Sequence, residues 1–381
     1  NVGPTSFSPT STVLIERAEY DEQHAQPYGV TQETQSGNIF LANTAIDQIQ
    51  EIENLGGGVY CVKNVPEFTD AIEAALGGPL NCVIQEIIAD TTRVVNGRNP
   101  LFVTCGSDIA DIPGTGGLAV GIWNPTSGSW DVTYNQTGNT GARTMYIDTS
   151  IQINGRPIIW NDLIGLGTGF FHYTGVGEIY DRHVFAAYPF AAGNGAGRVV
   201  IDPVTNISYW WAGSAADGLQ SIHTLEFTGV DPFDGNDYTA VRLGWHQRLI
   251  DVDGPLNAVS GTPGTVGFLI SQMMYSGNRV NGEPEFYFTE NQFNHIKRLF
   301  FNGADWEVQT LGGTGAAAVT DGDLATVAEF NFPAHLERLT DGTIAIVERL
   351  GNAVRIWDEV TGQVTTITGN NGLGLVENLY I

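Results

Sequence analysis

Histidines, clustered acids and paired tryptophans are the side chains best equipped for chemistry here. The seven histidines are His24, His172, His183, His223, His246, His295 and His335, and none falls in an HxH or HExxH spacing, so no zinc-hydrolase pattern is present. His246, inside Leu243-Gly-Trp-His-Gln-Arg248, sits beside an aromatic and a cation, as a ligand-contacting strand end would. A lone histidine with such neighbours more often serves structure. The densest oxygen donors are Asp231, Asp234, Asn236 and Asp237 in Asp231-Pro-Phe-Asp-Gly-Asn-Asp237. Calcium favours such ligands, but the EF-hand spacing and its distal glutamate are missing, and aspartates in turns commonly accept backbone N–H groups instead. The expectation is therefore no cofactor, with calcium the one ion these residues suit. Asp251-Val-Asp253 and Asp321-Gly-Asp323 are shorter versions of the same pattern. Trp123, Trp130, Trp210 and Trp211 are candidate sugar-stacking platforms, or aromatic packing between sheets. No GxSxG elbow, P-loop or dinucleotide fingerprint occurs.

The elements that carry these residues are legible in the composition. Glycine is abundant (48 residues), charge is sparse (15%) and 42% of residues are hydrophobic. That suits a turn-rich all-β chain. No stretch approaches the roughly 18 apolar residues of a membrane span. The 42 acids and 16 bases give a formal charge of −26, and Lys63 and Lys297 are the only lysines. Such a surface repels nucleic acid and anionic membranes. A start at Asn1 rather than methionine is what a processed product would show. With the scarcity of lysine, it sets the expectation of a secreted, extracellular or cell-surface protein. The sequons Asn135-Gln-Thr and Asn206-Ile-Ser are candidate glycosylation sites. The cysteines Cys61, Cys82 and Cys105 form no CxxC pair. They are either three buried thiols or one disulfide plus a thiol, Cys61–Cys82 being the first pairing to consider.

Residues 1–26 form a Pro/Ser/Thr-rich extended arm that leads into a short apolar strand at Val13, Leu14 and Ile15. From Pro27 the chain repeats. The last copy runs Phe330-Asn-Phe-Pro-Ala-His-Leu-Glu-Arg-Leu, Asp341-Gly-Thr-Ile-Ala-Ile-Val-Glu, Asn352-Ala-Val-Arg-Ile-Trp-Asp and Thr361-Gly-Gln-Val-Thr-Thr-Ile-Thr-Gly-Asn. Asp-Gly, Gly-Asn and Thr-Gly turns separate its four short apolar segments, the pattern of an antiparallel meander. Glu285-Phe-Tyr-Phe-Thr-Glu with Asn294-His-Ile-Lys-Arg-Leu-Phe repeats it, as do Pro27-Tyr-Gly-Val and Gly37-Asn-Ile-Phe-Leu-Ala-Asn.

These segments resemble NHL repeats, with the match best over 282–370, fair over 27–50 and weak between 80 and 260. The resemblance implies an all-β, six-bladed β-propeller with four-stranded antiparallel blades around a channel, spanning 27–381. The expected blades are 27–64, 82–138, 142–213, 219–261, 265–313 and 327–370, or seven if 142–175 is a blade of its own. One inserted helix is expected near 66–77, with Phe68, Ile72 and Leu76 on one face. Enzymes of this fold place Asp, Asn, Glu or His around a central metal. The slot of the repeat's Ala-Asp is held here by Ala42-Asn43, Thr289-Glu290 and Val347-Glu348, which would bind a cation or bond turn backbones. The resulting expectation is a non-enzymatic extracellular propeller for binding, adhesion or assembly into a larger, filamentous structure through its arm. Its partners would be further copies, another surface protein or carbohydrate. The alternative is a propeller enzyme, a carbohydrate lyase or hydrolase or a lactonase, with a channel metal.

Overall fold

The computed structural model describes residues 27–44, 47–57, 59–78, 83–106, 116–137, 142–163, 167–185, 196–213, 219–247, 251–256 and 270–369. Val13, Leu14 and Ile15 of the arm lie outside them, as does Cys82. The strands form six sheets, each a consecutive antiparallel meander. Blade 1 covers 27–65, blade 2 covers 83–136, blade 3 covers 142–184, blade 4 covers 196–247, blade 5 covers 270–312 and blade 6 covers 333–368. The innermost strand of every blade touches those of both neighbours, and the Pro27–Gln32 strand of blade 1 meets the Pro333–Arg338 strand of blade 6. The chain is a six-bladed β-propeller.

Four of the expected blades hold closely, blades 1, 2, 5 and 6. The boundary between blades 3 and 4 needs correction. Residues 196–213 are not the end of blade 3: Asp202 to Ile207 is a tight turn, with Asn206 at φ 59°, that joins the first two strands of blade 4. The expected fourth blade, 219–261, is only the outer half of the real one. Residues 142–184 do form their own blade, yet the count stays at six.

Apolar side chains on the sheet faces fill the spaces between blades, the usual way a twisted sheet buries both surfaces. Phe40, Ile84, Ile87, Val103 and Trp130 pack between blades 1 and 2. Val30, Leu41, Leu339, Val347 and Val354 seal blade 1 against blade 6. Gln32 Oε1 also accepts the Thr340 N–H at 2.6 Å across that seam. Each blade has four consecutive strands of its own among the described residues. Blades 5 and 6 gain a two-residue fifth strand on the outer edge, Gly254–Pro255 and Gly322–Asp323.

The helix forms at Glu67–Leu76, with Gly77 closing it at φ 74°, a left-handed conformation that glycine adopts readily. Phe68 and Ile72 are buried against the propeller. Gly121 lies directly under the Phe68 ring, where a Cβ would collide with it. Among the described residues no helix is long and apolar enough to cross a membrane.

Candidate functional site

One irregularity recurs in all six blades. Near its N-terminal end each inner strand slips register against the second strand. The slip lies between Pro27 and Gly29, Ile84 and Glu86, Ile270 and Gln272, and Pro333 and His335. In blade 3 it lies opposite Asn161–Leu163, and in blade 4 between Ala196 and Val199. A bulge re-aims the side chain beside it. The residue after the slip is Gly29, Glu86, Gln272 and His335 in blades 1, 2, 5 and 6; the corresponding side chains of blades 3 and 4 lie outside the described residues.

These positions meet on the axis. Glu86 and His335 belong to blades 2 and 6, which blade 1 separates, yet Glu86 Oε1 lies 3.2 Å from His335 Nδ1. Gly29 of the intervening blade makes this approach feasible, because a Cβ there would run into Glu86 Oε1. Both side chains are buried, to 1% and 2% exposure. On its other side His335 Nε2 is 3.4 Å from Gln272 Nε2. An amide nitrogen donates, so His335 Nε2 accepts and its proton sits on Nδ1, toward Glu86. The Nδ1 approach lacks hydrogen-bond alignment: His335 Nδ1 and Gln272 Oε1 are both buried without a hydrogen-bond partner.

Glu337 follows His335 on the same strand and the same side, two residues on. Loss of water and the neighbouring Glu86 push its carboxyl up to about 8. From blade 3, on the opposite side of the ring, Tyr146 feels that carboxyl. Burial, Asp148 and Glu337 push its phenol up to about 12, against a backbone hydrogen bond from Ile201. Buried polar atoms without partners and a displaced carboxyl on one axis are the marks of a ligand or acid–base site.

The Ala-Asp slots have a different role. Asn43 Nδ2 donates to Gln50 at 3.2 Å, Glu290 pairs with Lys297 at 3.2 Å, and Glu348 pairs with Arg355 at 2.6 Å. In each blade the partners are directly linked across the second and third strands and buried. Lys297 also contacts Asp251 and lies 3.0 Å from Asp253, while Arg355 reaches Asp321 at 3.0 Å. Asp253 and Asp321 hold the outer-strand Thr310 and Thr366 as well. The two short Asp-rich loops are therefore straps that tie the fifth strands to buried cations. Asp251, Glu290 and His295 present ligand atoms within 4.8 Å of one another. The Lys297 ammonium already stands among them, and a metal ion would have to displace it.

The other candidates divide. Asp231 accepts the Phe233 N–H, Asp234 the Asn236 N–H, and Asp237 those of Val230 and Asp231, so the turn reading describes this loop. Trp130 and Trp210 are buried between blades, Trp211 packs partly buried, and the Arg98 guanidinium lies 4.1 Å from the Trp123 ring centre. These tryptophans are packing, and the channel does not bring them together. Asn206 is exposed in its turn. Asn135 is 8% exposed, and its amide donates to Leu118 O and Glu178 O. The Cys61–Cys82 pairing also needs correction. Cys61, on the outer strand of blade 1, is a free thiol, whereas Cys105, on the second strand of blade 2, is disulfide-bonded. His246 pairs with Gln220 through its backbone, and its side chain lies outside the described residues.

Glu86, Gln272, His335 and Glu337 were not singled out in the sequence. The signal was present: the repeat opens Pro-x-Gly, as in Pro27-Tyr-Gly29, and blade 6 has Pro333-Ala-His335 in that frame.

No family model matches the chain, and no curated protein is similar to it. Solved structures share the propeller. An auxiliary nutrient binding protein from Bacteroides thetaiotaomicron superposes with a TM-score of 0.58 at 16% identity, over 90% of this chain and 69% of that one. Another from Bacteroides ovatus gives 0.57 at 14% identity, over 93% and 76%. The periplasmic gluconolactonase of Pseudomonas aeruginosa gives 0.45 at 13%, over 85% and 73%. At these identities the likeness is one of fold.

Proposed function

We propose that this chain is a binding propeller of the NHL type that acts outside the cell and takes a small polar ligand in its channel. The observation that carries the proposal is the ring position after the inner-strand bulge. Where blade 1 keeps glycine, blades 2, 5 and 6 carry Glu86, Gln272 and His335, and Gln272 Oε1 and His335 Nδ1 are buried with no hydrogen-bond partner. Leaving such atoms unsatisfied costs about 1–3 kcal/mol each, a cost that a bound ligand relieves. Nutrient binding by similarly folded proteins agrees with this reading, as does the −26 surface with solubility outside a cell. The test is binding of a small-molecule and glycan panel to the wild type and to Glu86→Gln and His335→Ala. Ligands should weaken at least about tenfold in the variants, equivalent to 1.4 kcal/mol.

A second role, assembly through the arm, is supported by the four strands that each blade holds among the described residues and by the apolar Val13–Ile15 run, which suits strand pairing with another copy. Deleting residues 1–20 should leave a folded propeller and reduce its mass in solution by light scattering; an unchanged mass would remove this role. An enzymatic alternative draws on His335 and Glu337 as a neighbouring base and acid. Turnover of a lactone or glycan that His335→Ala abolishes would establish it.

A further inference from the structure

We infer that the group anchored in the channel is an ammonium, the primary amine of a small ligand, held by Glu337 and Gln272; this rests on the channel reading above. The groups open to a ligand are mainly acceptors. Among the described residues the Glu337 carboxyl forms no hydrogen bond or ion pair, Gln272 Oε1 is a buried acceptor with no donor, and the Glu86 carboxylate lies beside them. His335 Nδ1 supplies one N–H for an acceptor atom on the same ligand. An ammonium carries three donors and no acceptor, which answers the two oxygen sites directly. Its charge answers the acids, and the −26 protein would draw cations toward the mouth.

The charged and titratable groups facing Glu337 are Glu86 and His335 from beside it and Tyr146 from across the channel, with Asp148 behind. The adjacent Arg338 is turned away, to Ser276 O and Glu359. An empty channel therefore keeps a proton on Glu337 up to about pH 8. A bound ammonium reverses that preference, so the amine enters as the proton leaves. Binding strengthens as pH rises through this range, until the amine itself loses its proton near about 10, the range of lysine.

The probes are putrescine and its neutral isostere 1,4-butanediol. The readout is the carboxyl titration of Glu337 by NMR on glutamate-labelled protein, assigned with Glu337→Gln. Putrescine should lower the midpoint by more than one pH unit and butanediol should leave it in place. Glu337→Gln should lose at least tenfold in putrescine affinity while its melting temperature is no lower than that of the wild type. Equal shifts from both compounds, or none from putrescine at millimolar concentration, would overturn the ammonium assignment. The channel reading fails separately, if a compound shown to bind the protein leaves the signals of Glu337, Gln272 and His335 unmoved.

Discussion

Gly29 and Glu86 occupy the same register position in adjacent blades, and the first must lack a side chain for the second to cross the axis. A Cβ on Gly29 would strike Glu86 Oε1 and sit 3.0 Å from Glu86 Cα and Ile87 N. Gly29→Ala should therefore displace Glu86 from His335. Overpacking of this kind costs about 1–3 kcal/mol. Urea denaturation should show that loss, and the variant should bind channel ligands more weakly. Full stability with full binding would mean Glu86 does not depend on the gap.

The Glu348–Arg355 pair is buried completely on both sides. Replacing Arg355 with methionine strands a carboxylate among apolar groups and also frees Thr320 O and Glu329 O, which Arg355 binds. The expected loss is about 3–5 kcal/mol. A Glu348→Leu/Arg355→Met double variant should recover part of it, because an uncompensated charge costs more than a missing pair. Denaturant midpoints of the three proteins decide this.

Glu337 makes stability fall as pH rises. Its carboxyl titrates near 8 in the folded chain against an ordinary 4.5, so across that window the folded state holds a proton the unfolded chain has released. Stability from this group is complete below the window and lost through it, by roughly 2–4 kcal/mol. Glu337→Gln should flatten the decline between pH 4.5 and 8.

His223 acts with the opposite sign. Burial, with Arg242 adding to it, lowers its imidazole to about 4 from 6.5. The folded state binds fewer protons between those values, so stability is complete above 6.5 and lost as pH falls through 4. The ring nitrogen lies 2.6 Å from Ser221 Oγ, so His223→Gln should keep a polar partner there while removing the acid-side slope. A thermal-melt series from pH 4 to 7 separates the two proteins.

One thiol should react in the native protein. Cys61 is free and partly buried, and Cys105 is bridged. Cys61→Ser should abolish labelling by a thiol reagent under native conditions, whereas Cys105→Ser should add a second reactive thiol and lower stability by about 2–4 kcal/mol.

The architecture was legible because turn chemistry and alternation are local. Asp341-Gly, Gly351-Asn and Thr361-Gly mark three turns of blade 6, and Pro66 with Gly77-Gly78 brackets the helix. The blade 3 to blade 4 boundary was obscured because Asp202-Pro-Val-Thr-Asn206 reads equally well as a turn within a blade or at its end. The channel was harder. Glu86, Gln272 and His335 lie far apart in sequence and are united only by a bulge, which depends on strand pairing rather than on residue type. The Ala-Asp slot drew attention because its residues are polar and recurrent. Recurrence there reflects buried pairing with the third strand, as in Glu290–Lys297. The tryptophans misled for a related reason: an indole suited to a sugar is equally suited to the space between two sheets.

The central claim is that ligand enters the channel ring. The most direct measurement is calorimetric titration of the tightest compound from a binding screen into wild-type protein and into a Glu86→Gln/His335→Ala double variant of matched melting temperature. Affinity should fall at least tenfold in the variant. Undiminished binding there would contradict it and move the site away from the axis.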